Sequence, residues 1–183
     1  MLGDRFDDLL DAARAGDQDA FAEIWREHHP GLLRYLRVVD RVIAEDIAAE
    51  TWLHVTRGLG RLTGDEDGFR AWLFTIARRR HLDAHRAAGR RPPTTDAEET
   101  LAEMAGAAST AADVDERIAT EAALRLIAAL PPDQSEVVAL RVIADLDVAQ
   151  VARLVKKRPG TVRVLAHRGL RRLAEMMGDA DDL

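Results

Sequence analysis

Apolar positions along this chain recur every three or four residues and nowhere alternate cleanly over 4–8 residues, so helices are expected throughout and strands nowhere. The first helix is read from Asp4 to Ala15, stopped by Gly16. Asp17 then caps a second, on which Phe21, Ile24, Trp25, Leu32, Leu33 and Leu36 recur at helical spacing. Pro30 predicts a break at His29, because proline disfavours helix at the residue before it. A third helix is read from Ile43 to Leu59, with Ile47, Glu50, Thr51, His54 and Val55 at 3–4 spacing, ended by Gly58, Gly60 and Gly64. The stretch 60–68, GRLTGDEDG, reads as a loop, too rich in glycine and acids to be helix. Phe69 to Ala88 follows as a fourth helix, with Phe69, Trp72, Leu73, Ile76 and Ala77 inward.

Gly89 and Pro92-Pro93 end that pattern, and residues 94–115 carry no sustained apolar stripe. They read as a linker with at most a turn at 97–105. Helical patterning resumes near Asp115 as Glu116–Leu130, Asp133–Ile143, Asp147–Val155 and, after a turn at Lys156-Lys157-Arg158, Pro159–Met177. Asp147 with Gln150 three residues on resembles a capping box, and Pro159 suits a first helical turn. Val162, Ala166, Leu170 or Gly169, Leu173 and Met177 make the expected buried stripe of the last helix. The chain therefore reads as all-α, in two small helical domains, and its last two helices have helix-turn-helix spacing.

Composition narrows the function more than the fold. Of 183 residues, 47% are hydrophobic and 4% aromatic, enough apolar material for a core built mostly from Ala, Leu and Val. Cysteine is absent, which excludes disulfides, thiolate zinc sites and a cysteine nucleophile. Apolar runs are short and interrupted by charge, so no membrane insertion is expected, and the acidic N-terminus is unlike a secretory signal. A cytoplasmic location follows as the expectation.

The net charge of −6 is unevenly spread. Residues 1–91 carry −1, residues 92–115 carry −6 with no basic side chain, and residues 116–183 carry +1. Residues 70–91 hold seven arginines against Asp83 alone, and residues 156–172 hold Lys156, Lys157, Arg158, Arg163, Arg168, Arg171 and Arg172 with no acid. Two basic clusters flanking an acidic connector suggest two contacts with a polyanion. The first turn of a recognition helix reaches base edges, where Arg pairs bidentately with guanine, while later Arg and Lys neutralise phosphates. An ordinary solvated basic helix is the plainer reading. Around 69–86, aromatics among arginines suit single-stranded nucleic acid, although each of Phe69 and Trp72, taken alone, reads rather as core.

His81 and His85 stand one helical turn apart, but HLDAH places its acid at the third position, unlike H-E-x-x-H, and no third ligand is evident. No metal or other cofactor is expected. No nucleophile elbow, phosphate loop or dinucleotide fingerprint occurs, so the chain is not expected to be an enzyme.

Five ordered segments carry a resemblance: AGDQDAFAEIWREHHPGLLRYL, AEDIAAETWLHVTRGL, FRAWLFTIARRRHLDAHR, LPPDQSEVVALRV and PGTVRVLAHRGLRRL. From about residue 16 to 175, outside the linker, the chain resembles bacterial sigma-70-type factors of the extracytoplasmic-function (ECF) group, in wording closest to actinobacterial members. The resemblance implies a sigma-2-like domain over 1–91, an acidic flexible linker over 92–115, a sigma-4-like helix-turn-helix domain over 116–178 and an acidic tail over 179–183. It implies core RNA polymerase and promoter DNA as partners, with an anti-sigma factor as regulator.

The resemblance also implies site residues. Asp46, Ile47, Ala49, Glu50, Thr51 and Leu53 match the segment that docks on the clamp helices of the largest polymerase subunit, with Ala49 where the family usually has Gln. Loop 60–68 matches the loop that captures an unstacked −10 base; its acids would repel phosphate, so Leu62, Thr63, Phe69 and Trp72 are read as the pocket's surroundings. Arg78, Arg79 and Arg80 match the −10 face, Arg79 standing where Asn is frequent. Arg141, Lys157, Arg158, Thr161, Arg163, Val164, His167, Arg168 and Arg171 match the −35 contacts, Val164 replacing a frequent Ser. Lys156 stands where the turn often has Gly, a costly substitution if the backbone there needs positive φ. The linker matches the segment that threads toward the polymerase active site. A stand-alone helix-turn-helix regulator, which leaves the sigma-2-like half idle, and a helical adaptor whose basic patches serve a protein partner are the competing readings.

Overall fold

The computed structural model describes residues 1–62, 64–88 and 111–181. Eight α-helices and one 3-10 turn account for these residues, with no strand among them. In the first half, α1 (Arg5–Arg14), α2 (Gln18–Val39), α3 (Ala44–Gly58) and α4 (Glu66–Ala88) form a bundle. In the second, α5 (Ala111–Ala128), α6 (Pro132–Val142), α7 (Val148–Val155) and α8 (Pro159–Asp181) form another. The linker, its expected turn at 97–105 and Thr63 lie outside the described residues, apart from the start of α5.

Helix α2 begins as its sequence dictates: the Asp17 carboxylate accepts from the Asp19 and Ala20 amides. It does not break at His29. The helix runs through Pro30, whose ring faces solvent, because Ile24, His28, Leu32, Tyr35 and Leu36 on both sides of it are all buried on one stripe. Proline removes one backbone hydrogen bond, and the packed stripe holds the helix despite that loss.

The glycine- and acid-rich stretch also differs from expectation. Leu59–Arg61 is a 3-10 turn, and α4 starts at Glu66 rather than Phe69. The Asp65 side chain accepts from the Gly68 amide at 2.9 Å, while Glu66 and Asp67 occupy the first helical turn, where carboxylates meet the positive end of the helix dipole. Glu66 turns inward, is buried, and accepts from the Leu2 and Gly3 amides at 3.0 and 2.8 Å. Phe69, Leu73, Phe74, Ile76 and Ala77 then line the core beneath. Helices α3 and α4 cross closely at Gly58, where a β-carbon would stand 2.8 Å from the Trp72 ring.

In the second half the capping box at α7 is complete: the Asp147 carboxylate accepts from the Gln150 amide, and the Gln150 side chain accepts from the Asp147 amide. Helix α7 ends at Lys156, in the left-handed region at φ 56°, so the residue whose backbone would favour glycine is a lysine. The buried stripe of α8 passes through Val162 and Gly169, with Leu165, Ala166, Leu173 and Met176 partly buried; of the two alternatives Gly169 is inward and Leu170 exposed, and Met177, expected inward, is exposed. A stripe of period 3.6 drifts onto Gly169 and Met176. Gly169 sits against α6 so tightly that a β-carbon would lie 2.6 Å from Val138 Cγ2. Helix α5 begins inside the span read as linker, and α8 continues into the span read as tail.

The two halves meet. Helix α2 packs on α5 and α6, where Val38 and Val39 share grooves with Leu124, Ala128 and Leu130. Ion pairs surround this seam: Arg37 and Arg41 with Glu121, Arg70 with Asp145 at 3.2 Å, and Arg78 with Glu136 at 2.7 Å.

Candidate nucleic-acid interface

Helix α8 is placed by the α7 cap, the left-handed turn and the Val162 anchor, which leave its opposite side in water. Arg163, Val164, His167 and Arg171 recur at i, i+1, i+4 and i+8, which puts them on one outward face, with Arg168 and Thr161 flanking; all are exposed. No acid lies between Lys156 and Arg172. Arg171 pairs with Glu175 at 3.2 Å in solvent, an interaction of small consequence. At the turn, Arg158 is exposed, while Lys157 Nζ reaches Asp133 at 2.9 Å. Arg141 is spent differently: half-buried, it donates to the Leu146 carbonyl and fixes the α6–α7 loop.

On α3 the six expected docking residues divide by face. Asp46, Ala49, Glu50 and Leu53 are exposed and contiguous. Ile47 and Thr51 point the other way: Ile47 is core, and Thr51 is fully buried with its hydroxyl donating to the Ile47 carbonyl at 2.7 Å. They position the face rather than form it. Beside it the structure adds apolar surface that sequence reading missed. Val42 is 91% exposed, and Trp25, counted among the apolar positions at helical spacing, is 38% exposed and stacked on His29 at 4.3 Å. The available signal was Trp25's place one residue off the Ile24–His28–Leu32 stripe.

The −10 residues are less uniform. Leu62 is partly buried, and its carbonyl accepts from Arg14. Phe69 is wholly buried against Phe6, His28 and Trp72, so it supports the loop and is not a pocket wall. Trp72 is half-buried at the Gly58 crossing. Of the arginines, Arg79 is the most open, with Asp83 3.9 Å away. Arg80 lies 3.2 Å from His54 Nδ1. Arg78 is held by both carboxylate oxygens of Glu136, at 2.7 and 3.2 Å. Burial lowers the Arg78 pKa, but the hydrogen bond and charge of Glu136 outweigh that and raise it overall. His28, beneath the loop, is driven down to about 4 by burial against the weaker pull of Glu66 and Glu27, so its 3.4 Å approach to Glu66 is a contact with a neutral ring.

The family described as Sigma-70 region 2 matches residues 18–91, and the one described as Sigma-70, region 4 matches residues 120–173. ECF RNA polymerase sigma factor BldN of Streptomyces coelicolor is 34% identical over 177 residues, covering 96% of this chain and 67% of that protein. ECF RNA polymerase sigma factor SigD of Mycobacterium tuberculosis is 34% identical over 190 residues, covering all of this chain and 88% of that protein. Among solved structures, CnrH in complex with the cytosolic domain of CnrY shares the fold at TM-score 0.61 and 20% identity, over 94% of this chain and 96% of that one. The sigma factor RpoE of Bartonella quintana, solved with the anti-sigma factor NepR, does so at TM-score 0.61 and 19% identity, over 86% and 96%. With both regions matched in order, on a helix-turn-helix whose outer face is basic, the chain belongs to the ECF group of sigma-70-type RNA polymerase sigma factors.

Proposed function

We propose that this chain acts as an alternative sigma factor through three surfaces. The α3 face of Asp46, Ala49, Glu50 and Leu53, widened by Val42 and Trp25, docks on core polymerase. The α4 arginines and the Leu62 loop serve the −10 element. The outer face of α8, with Arg158 and Lys157 from the turn, reads the −35 duplex. The observation that carries the reading is the acid-free basic run from Lys156 to Arg172, which covers the outer face of the first turns of α8 one short turn after a capped helix. Its role is binding rather than catalysis, and it works where the polymerase works, in the cytoplasm. Among the described residues no helix is long and apolar enough to cross a membrane. Because CnrH and Bartonella RpoE were solved with CnrY and NepR, a protein of the anti-sigma kind is the regulator this chain would take.

The test is a pull-down on core polymerase followed by promoter-dependent run-off transcription. Asp46→Lys with Glu50→Lys should abolish polymerase binding and leave helicity unchanged, since both side chains face water. Full transcription by the double variant would show that α3 is not the docking helix. Nanomolar, sequence-specific binding of the isolated chain to duplex DNA at physiological salt would favour a stand-alone regulator.

A further inference from the structure

His81 and His85 lie one turn apart on α4, and the fold supplies the third ligand that the sequence leaves out. Helix α2 ends at Val39, and Asp40, in extended conformation at φ −161°, faces the two imidazoles. Its Oδ2 is 2.9 Å from His85 Nε2. The two rings stand 4.5 Å apart at 74°, and one donor atom from each of the three residues lies within 4.8 Å of the others. His81 Nδ1 is buried with no hydrogen-bond partner among the described residues, so a polar atom faces inward with nothing to bond. The Asp40 carboxylate is oriented from behind: Oδ1 accepts from the Val42 amide at 3.0 Å and the Ile43 amide at 3.5 Å, which leaves Oδ2 for the histidines. Outer hydrogen bonds of this kind aim a metal ligand.

We propose that Asp40, His81 and His85 bind a divalent transition-metal ion of the zinc class, through two imidazole nitrogens and one carboxylate oxygen, with water completing the shell. Tetrahedral zinc, with bonds of about 2.0–2.2 Å, sets its donors roughly 3.3 Å apart. The His85–Asp40 pair is already near that spacing at 2.9 Å, and the His81 donor lies within 4.8 Å of both. Nearby cations are compensated: Arg78 by Glu136, and Arg79 and Arg86 by Asp83. His85, with 56% of its side chain exposed, leaves an entry path. The ion would staple the end of α2 to α4, beside the seam between the halves and just ahead of the turn into α3. This inference stands apart from the sigma-factor reading, which needs no metal.

The experiment uses the full chain, stripped with chelator and titrated with Zn²⁺ by calorimetry and with Co²⁺ by visible absorption. One equivalent of zinc should bind, Tm should rise with zinc concentration, and cobalt should show ligand-field bands of a low-coordinate nitrogen–oxygen site. His81→Gln, His85→Gln and Asp40→Asn should each weaken zinc by at least about tenfold. Asp40→Asn keeps an acceptor for Val42 and Ile43, so its circular dichroism should match the parent and separate lost ligation from lost fold. Absence of bands and of any Tm rise at millimolar metal overturns the proposal and leaves an Asp–His hydrogen-bonded contact. So does undiminished binding in the His81→Gln, His85→Gln double variant, which would place the ion on other histidines.

Discussion

A neutral histidine at the bottom of the first bundle makes this fold acid-sensitive in a defined window. His28 is packed between Phe6 and Phe69 with ring-centroid distances of 6.3 and 5.0 Å. Its pKa falls from the ordinary 6.5 to about 4 on folding. Between these values the unfolded chain binds more protons than the folded one, so stability rises with pH across the window and is flat above it. Acidification from pH 7 toward 4 should therefore cost up to about 3 kcal/mol at this residue. His28→Leu should flatten that part of the curve in denaturant titrations at stepped pH; an unchanged slope would assign the acid sensitivity elsewhere. Steric limits act at the same scale. Gly169→Ala gains about 1 kcal/mol of helix propensity but drives a methyl into Val138, an overpacking cost of about 1–3 kcal/mol. A net loss in Tm is expected, with recovery when Val138→Ala is added. Gly160→Ala meets nothing within 4 Å and should raise Tm instead.

At the scale of elements, α8 makes a prediction that differs in kind along its length. Arg163 stands in its first turns, where a bidentate Arg–guanine pair is worth roughly 1–3 kcal/mol of discrimination. Arg171, two turns further on, is placed to meet phosphates. In holoenzyme binding across a panel of −35 variants, Arg163→Ala should relax sequence preference. Arg171→Ala should weaken all sequences alike and reduce the salt slope by about one. Identical uniform losses would reduce α8 to an electrostatic anchor.

Elements were legible where their cause is local. The Asp17 cap, the Asp147–Gln150 box and the Pro159 start each depend on residues within one turn, and all three stand as read. Pro30 and the Asp65–Asp67 run were misread because tertiary burial of the Ile24–Leu36 stripe, and of Glu66 against the Leu2 and Gly3 amides, decided them. Among site residues, exposure on α8 followed from periodicity, whereas Ile47, Thr51 and Phe69 were assigned by motif position and proved to face inward. Sequence spacing gave no sign that Asp40 would meet His85 or that Glu136 would meet Arg78, because 45 and 58 residues separate the partners.

Over the whole molecule, the −10 role proposed for Arg78 sets the seam between the halves against promoter DNA for one side chain. Arg78 cannot grip Glu136 and promoter DNA together, and the contact is well screened from water, with both side chains under one-fifth exposed. If Arg78 serves the −10 element as proposed, engaging promoter DNA should break the Arg78–Glu136 pair and draw α6 away from α4. Glu136→Gln should ease that separation, raising the affinity for core polymerase a few-fold and lengthening the distance between fluorophores placed on α1 and α8. An unaltered distance with unaltered affinity would mean that the seam is held by its apolar contacts alone.

The Arg78–Glu136 pair has a consequence for how the chain is shared out in a cell. Chromosomal DNA is an enormous excess of decoy phosphate, and each free basic side chain a protein shows it adds to non-specific binding. By occupying one of its own arginines with its own carboxylate, the unbound chain presents less of that surface. More of it should then remain in the pool from which polymerase draws, with the arginine freed when the halves part.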